Sequence, residues 1–403
     1  MTGPAGEGPR PVAPPDRLTL PVEVVEIATT LERAGYSTWC VGGAIRDALL
    51  GSSREDVDLA TAATPREVQA IFKRTVPVGL KFGTVGVLDR RRHLHEVTTF
   101  RKDVATDGRH AVVAFGASLE EDLARRDFTI NAIAYHPLTH QWRDPFGGMA
   151  DLGRRVVRAV GPPEDRFRED YLRILRAIRF ACRLDFVIDP ETWRAARSVA
   201  GGLGKLSAER VRDEWYRSLE TAQSVARLLD LWRDIGAAER WLSGMVAHYP
   251  FATGDPRPRD PVLLTAIISA DPTAALAALK AATAEIDRAR RISRGPAVPN
   301  DDTPAAVRRW LAAVEPAADD LVLAYRLVAG RDPGWAAVIA GIRERREPIS
   351  RGDLAVTGDD LIGSGMAAGP AIGRTLAWLL ERVLDDPSLN QRDRLLALAR
   401  DHG

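Results

Sequence analysis

Cysteine is nearly absent from this 403-residue chain: only Cys40 and Cys182 occur, each in apolar surroundings. Two such thiols indicate neither a disulfide framework nor a Cys-based metal site. The seven histidines, at 93, 95, 110, 136, 140, 248 and 402, include no His-Asp dipeptide and no metal-ligand spacing, so no catalytic role falls to them. Lysine is scarce too, present only at 73, 81, 102, 205 and 280, and the 56 basic residues are therefore overwhelmingly Arg. They are balanced by 55 acids, and a net charge of +1 denies the whole molecule a global attraction for nucleic acid. No apolar run approaches the ~20 residues that span a bilayer. With no charged-then-apolar leader at the start, the expected location is the cytoplasm. No repeat of fixed period occurs. What remains, 45% hydrophobic residues, suffices for two to four packed domains.

Local patterns divide the chain. Residues 1–17 hold eight Gly or Pro and no apolar periodicity, the composition of a disordered tail. Val24, Ile27, Ala28 and Leu31 then recur at helical spacing between Pro21 and Gly35. "YSTWCV" reads as a buried strand leading into a short helix over Ala44 to Leu50. Thr64, Pro65 and Glu67 supply a capping box with proline at the first helical position. "GTVGVL" and "HLHEVTTF" alternate as strands around a turn at Asp89 to Arg92. Ser118 and Glu121 form a second capping box, from which "LEEDLARRDFTINAIAY" reads as helical. "REDYLRILRAIRFACRL" reads as one long helix with Leu172, Leu175, Ile178 and Cys182 on its apolar face, and another helix begins at Ser207. Beyond about residue 220 the rhythm stays helical, broken by Pro/Gly segments near 249–261, 294–304 and 347–352.

Asp56 and Asp58 lie one residue apart in "EDVDLAT", a segment that otherwise reads as a strand. Strand alternation points both carboxylates one way, with Val57 and Leu59 opposite. Alone, such a pair is most often a solvated strand end or a turn. Its like charges become favourable around a hard cation such as Mg²⁺ that shares its coordination with phosphate oxygens. Upstream, Gly42-Gly43 follows a strand and opens a helix, where free backbone N–H groups can hold phosphate, and Arg46 sits on the first turn for a bidentate clamp. Between Asp151 and Asp185, nine Arg face six acids. Within that segment Asp170 and Arg173 are three apart, close enough for a surface ion pair. They also match the edge that cytosine and adenine share, an amino donor beside an unprotonated ring nitrogen. Uracil and guanine reverse that pattern, so one Asp/Arg pair selects C and A without a template.

"VGGAIRD", "EDVDLAT", "ARRDFTINAIAY", "DPFGG", "REDYLRILRAIRF" and "LSAERVRDE" occur, in order over residues 40 to 216, as in the class II tRNA nucleotidyltransferases. The segment from Leu354 to Val383 also resembles that family's tail. The resemblance implies an α+β protein: a polymerase-β-like nucleotidyltransferase head with a mixed sheet over 18–148, then an all-α neck over 149–220, body over 221–345 and tail over 346–403. It places Asp56 and Asp58 on the Mg²⁺ ligands, and Gly43, Arg46 and Arg126 on nucleotide contacts. Asp170, Arg173, Arg176 and Arg179 fall on the base-recognition and phosphate-binding helix. Glu96 is the candidate third carboxylate, the alternative being a cross-strand ion pair with one of Arg90 to Arg92. The implied partners are CTP, ATP and the acceptor end of tRNA, and the implied activity is CCA addition. Addition of only CC or only A, poly(A) synthesis, and non-catalytic RNA binding are the other readings. Residues 101–117 occupy the position of a flexible loop implicated in the switch from C to A. The signature of an appended metal-dependent phosphohydrolase domain is missing.

Overall fold

Val24, Ile27, Ala28 and Leu31 form the buried face of the first helix, α1 (Val22–Arg33), and Gly35 follows it in the left-handed region at φ +90°. They belong to a computed structural model that describes residues 12–52, 56–106, 111–242, 244–245, 250–251 and 259–402. Of the proline-rich start, residues 1–11 lie outside the described residues. Val12 packs against the core, and the Pro15 carbonyl accepts the Trp142 indole N–H.

After α1 come β1 (Thr38–Val41), α2 (Gly43–Leu49), β2 (Asp58–Thr61), α3 (Pro65–Ile71), β3 (Thr75–Gly79), β4 (Thr84–Leu88) and β5 (Leu94–Thr99). The hairpin β6 (Arg101–Thr106) and β7 (Ala111–Phe115), α4 (Leu119–Ala124), β8 (Ala134–Tyr135) and β9 (Trp142–Arg143) follow. Seven strands form one sheet in the order β3-β4-β5-β2-β1-β8-β9; β2 and β5 run parallel and the other neighbours antiparallel, so the sheet is mixed. Cys40, Leu59 and Val97 point into the larger core, beside the buried face of α1. Trp39, Val41 and Ala60 point the other way, into a smaller core with Phe100, Leu119 and Leu123.

Both capping boxes form, at Thr64/Glu67 and at Ser118/Glu121. The helix expected to run on from Ser118 stops at Ala124, however, and the chain turns through Phe128 into β8. Phe128, Ile130 and Ile133 are fully buried, and their tertiary packing overrides the local helical pattern. The described ends of the 101–117 segment pair as an antiparallel hairpin.

The helical part of the first unit contains α5 (Gly148–Arg154), β10 (Val156–Val157), α6 (Pro163–Glu169), α7 (Leu172–Leu184), β11 (Val187–Ile188), α8 (Pro190–Ser198), α9 (Ala208–Thr221), α10 (Val225–Asp234) and α11 (Ala237–Trp241). Its helices are joined by one short parallel pair, β10 with β11. The long helix expected across "REDYLRILRAIRFACRL" is broken: α6 ends at Glu169, Asp170 is extended (φ −154°, ψ 104°), and α7 starts at Leu172. Leu172 is partly buried, and the buried apolar face of α7 is Ile174, Leu175, Ala177, Ile178, Ala181 and Cys182. The expected spacing holds for Leu175, Ile178 and Cys182, and fails only at Leu172, which stands at the first position of the new helix.

The chain divides into two compact units, Met1–Arg240 and Trp241–Gly403. In the second, the described helices are α12 (Pro261–Ile268), α13 (Pro272–Ala278), α14 (Thr283–Arg294), α15 (Pro304–Val314), α16 (Ala318–Ala329), α17 (Trp335–Glu344), α18 (Gly358–Gly363), α19 (Pro370–Asp385) and α20 (Arg392–His402). Buried Arg308 of α15 donates to the Leu384 and Asp385 carbonyls at the end of α19 and pairs with Glu347 at 2.7 Å. It satisfies carbonyls that the helix leaves without partners.

Candidate active site

Val57 and Leu59 are buried while Asp56 and Asp58 are exposed, the alternation an extended chain imposes. Asp58 opens β2, and the parallel register that sets Leu59 beside Val97 places Glu96 on the neighbouring strand, on the same sheet face as Asp58. Loss of hydration and the charges of Glu96 and Asp56 push the Asp58 carboxyl up to about 6, against the pull of Arg126. Among the described residues, none of Arg90, Arg91 and Arg92 pairs with Glu96; Arg90 reaches Glu26 at 3.9 Å. No three His, Cys, Asp or Glu among the described residues are grouped to hold a metal by themselves. The crowded acids suit a divalent cation that takes its remaining oxygens from a phosphate.

Between β1 and α2 the chain turns at Gly42, with φ +81° and ψ −143°, a conformation that glycine alone adopts without strain. A Cβ there would lie 3.2 Å from Arg126 Nη1 and 3.5 Å from Asp58 Oδ2. The missing side chain thus lets the backbone approach both the acids and a guanidinium. The first N–H groups of α2 have no partner within the helix.

These groups meet in one cleft of about 490 Å³. Its lining includes Gly43, Arg46, Asp56, Asp58, Arg126, Asp170, Arg173, Arg176 and Arg179, which is every expected site residue except Glu96. Among the described residues eight Arg and four Asp line it, an excess of four positive charges in a chain whose net charge is +1. That concentration suits a triphosphate.

Several of these side chains have partners other than those expected. Arg46, 1% exposed, donates through Nε and Nη2 to Asp47 Oδ1 and through Nη1 to Asn131 Oδ1 at 2.6 Å, so the bidentate face proposed for phosphate is turned onto Asp47. Burial lowers the Arg46 pKa, with Asp47 opposing the shift. Asp170 and Arg173 are not neighbours on one helix, because Asp170 lies in the break before α7. Its Oδ2 accepts from Arg210 at 2.7 Å and its Oδ1 from the Leu172 N–H at 3.1 Å. Arg173 donates to Glu169, the Arg166 carbonyl and the Arg125 carbonyl at 2.7, 3.0 and 2.9 Å. The surface Asp170–Arg173 ion pair does not form; both side chains face the cleft. Arg176 binds Asp127 through two N–H groups, Arg179 pairs with Glu214, and Arg126 reaches Asp122 at 3.2 Å.

Asp47, Arg125, Asp127, Asn131, Phe180, Arg183 and Arg210 belong to this network without having been singled out from the sequence. Arg183 had a signal: it continues the helical spacing of Arg173, Arg176 and Arg179. Asp47, Asp127 and Asn131 sit inside the segments "VGGAIRD" and "RRDFTIN", yet each also has a partner 49 to 136 residues away.

Residues 38–158 match a family described as the poly A polymerase head domain, and residues 185–243 one described as a probable RNA and SrmB-binding site of polymerase A. The chain is 45% identical over 207 residues, about half of each protein, to the CCA-adding enzyme of Lactiplantibacillus plantarum. It is 35% identical to that of Levilactobacillus brevis across 93% of this chain and 96% of the relative. The solved structure of the Bacillus stearothermophilus CCA-adding enzyme in complex with CTP matches at a TM-score of 0.76 and 33% identity, covering 94% of this chain and 97% of that one.

Proposed function

The chain belongs to the family of CCA-adding enzymes, and from that premise we propose that it adds C, C and A to the 3′ end of tRNA from CTP and ATP, releasing pyrophosphate, without a nucleic-acid template. The observation that carries this reading is a single cleft that gathers a crowded acid pair, a glycine turn and eight guanidinium groups. In the reaction the terminal 3′-oxygen forms a bond to the α-phosphorus, the bond to the bridging oxygen breaks, and pyrophosphate departs; the hydroxyl proton passes to water.

Asp56 and Asp58 are the residues that would hold Mg²⁺. Once bound, such a cation supplies positive charge shared between the carboxylates and the phosphate oxygens. Glu96 adds negative charge beside Asp58 and favours that occupancy. Gly42 and Gly43 let the backbone approach the triphosphate, while Arg46 and Arg126 bring positive charge to it. Asp170 and Arg173 read the base edge. Asp170 keeps unused lone pairs after its two hydrogen bonds, and Arg173 donates only three of its five N–H groups. Arg176 and Arg179 keep the rest of that helix face positive. In this reading 18–148 is the catalytic head, 149–220 the neck that reads the base, 221–345 the body and 346–403 a tail that binds tRNA, and the protein works in the cytoplasm.

Product length tests this reading. Incubated with tRNA lacking its last three nucleotides, CTP, ATP and Mg²⁺, the protein should extend the RNA by three, and Asp58→Ala should extend it by none while still binding the tRNA. Extension by two or one would identify a partial enzyme, a long A tract a poly(A) polymerase, and no extension by the unaltered chain a non-catalytic RNA-binding protein.

A further inference from the structure

Several groups lining the cleft, together with Asp47, form a chain of charge-assisted hydrogen bonds whose two ends both lie on α7. Buried Asp47 accepts Arg46 on Oδ1, at 2.9 and 2.7 Å, and Arg183 Nη2 on Oδ2, at 2.7 Å. Arg46 Nη1 donates to Asn131 Oδ1, and Asn131 Nδ2 donates to Asp127 Oδ1 at 2.9 Å. Arg176 closes onto Asp127 Oδ2 at 2.8 and 2.6 Å. Arg176 and Arg183 are seven residues apart on α7, two turns, and so leave the helix on one side about 10 Å apart. Phe180 lies between them on that side, with the guanidinium carbons of Arg46, Arg176 and Arg179 at 4.9, 5.4 and 4.3 Å from its ring centre. The helix is therefore fastened to the head at the Arg125 carbonyl near its start, at Asp127, and at Asp47 near its end.

We infer that Asp47 and Arg183 are positioning residues: their pair fixes the register of α7, and with it the Asp170–Arg173 edge, against the glycine turn and Arg46. This inference rests on the function proposed above and deepens it. A nucleotide reaching from base edge to phosphates touches both α7 and α2, so selectivity depends on how rigidly the two helices are spaced. The Arg173–Arg125 and Arg176–Asp127 contacts hold only the first half of α7, and the Arg183–Asp47 anchor two turns beyond Arg176 fixes its second half. Ala177, Phe180 and Ala181 pack in the head core, but the packing is incomplete at the Arg183 end of the helix. Asp47 and Arg183 also line a second cavity of about 490 Å³ with Leu50, Ser52, Leu184, Thr221 and Gln223, and Arg183 faces the nucleotide cleft as well. A buried ion pair of this kind adds little net stability; what it supplies here is one defined geometry.

The test is Arg183→Gln in the full-length protein, with kcat and KM measured separately for CTP and UTP on tRNA lacking its last three nucleotides. The expected result is about a tenfold fall in kcat for CTP with KM nearly unchanged, and about a tenfold loss of the preference for CTP over UTP. Arg183→Lys should recover part of that preference, and Asp47→Asn should add little in combination with Arg183→Gln. A merely structural role would lower the unfolding midpoint and the active fraction but leave the CTP-to-UTP ratio alone. A folded Arg183→Gln protein with the unaltered ratio overturns the inference. Should Arg183→Gln fail to fold, Arg183→Lys, which keeps the charge but loses the planar fork, must show a measurably lower ratio, and an unchanged one overturns it equally. Failure of the unaltered chain to incorporate CTP would instead remove the proposed function, and this inference with it.

Discussion

The Asp127 carboxylate accepts two N–H groups from Arg176 and one from the Asn131 amide while almost wholly out of water. Burial pushes its pKa up, but the Arg176 charge and these hydrogen bonds outweigh it and hold the group at about 2. A folded-state pKa below the unfolded value of about 3.9 means that the ionised group stabilises the fold above that pH. That contribution is lost as pH falls from about 4 through about 2. Asp127→Asn should therefore cost about 2 kcal/mol near pH 6, with the difference from the unaltered chain shrinking towards pH 2. Denaturant melts across that range check it, and a gap that does not close with acid would contradict the assignment. The residue type was legible in "RRDFTIN"; the partner was not, because Arg176 lies 49 positions on and meets Asp127 only when α7 packs on the head.

At the level of elements, the junction of β1 and α2 and the break between α6 and α7 set the geometry of the cleft. The junction was readable, since a glycine pair after a buried strand marks a tight turn. Gly42→Ala places a Cβ at φ +81° and 3.2 Å from Arg126 Nη1. Backbone strain of this kind costs about 1–3 kcal/mol. Displacing the turn from Asp58 should also reduce nucleotide incorporation about tenfold or more. Thermal melts and steady-state kinetics check both, and a variant as stable and active as the unaltered chain would show that the turn relaxes freely. The break at Asp170 escaped the sequence because "REDYLRILR" carries helical residues on both sides and neither proline nor glycine. What interrupts it is tertiary: Arg210, forty residues on, takes the Asp170 carboxylate, while Arg173 anchors the new helix to the Arg125 carbonyl.

On the scale of the whole molecule, charge is local. A chain with 56 basic and 55 acidic residues attracts no polyanion from a distance, yet among the described residues the cleft holds four more positive than negative side chains. Binding of tRNA should then follow counterion release at a limited number of phosphates. If about four are neutralised, affinity should fall roughly a hundredfold between about 50 and 200 mM salt. Filter binding over that range measures the slope, and affinity indifferent to salt would exclude phosphate contacts as its source.

Sequence by itself determined the parts whose interactions are local. The α1 face, both capping boxes, the alternation that exposes Asp56 and Asp58, and the glycine turn each depend on neighbours within a few positions, where helix and strand periods fix which way a side chain points. Tertiary structure decided which charges meet. Asp47 with Arg183, Asp127 with Arg176 and Asp170 with Arg210 join residues 136, 49 and 40 positions apart. Many guanidinium–carboxylate pairings are chemically equivalent along a chain with 56 basic and 55 acidic residues, and only the packing of α7 on the head and of α9 on α7 selects among them.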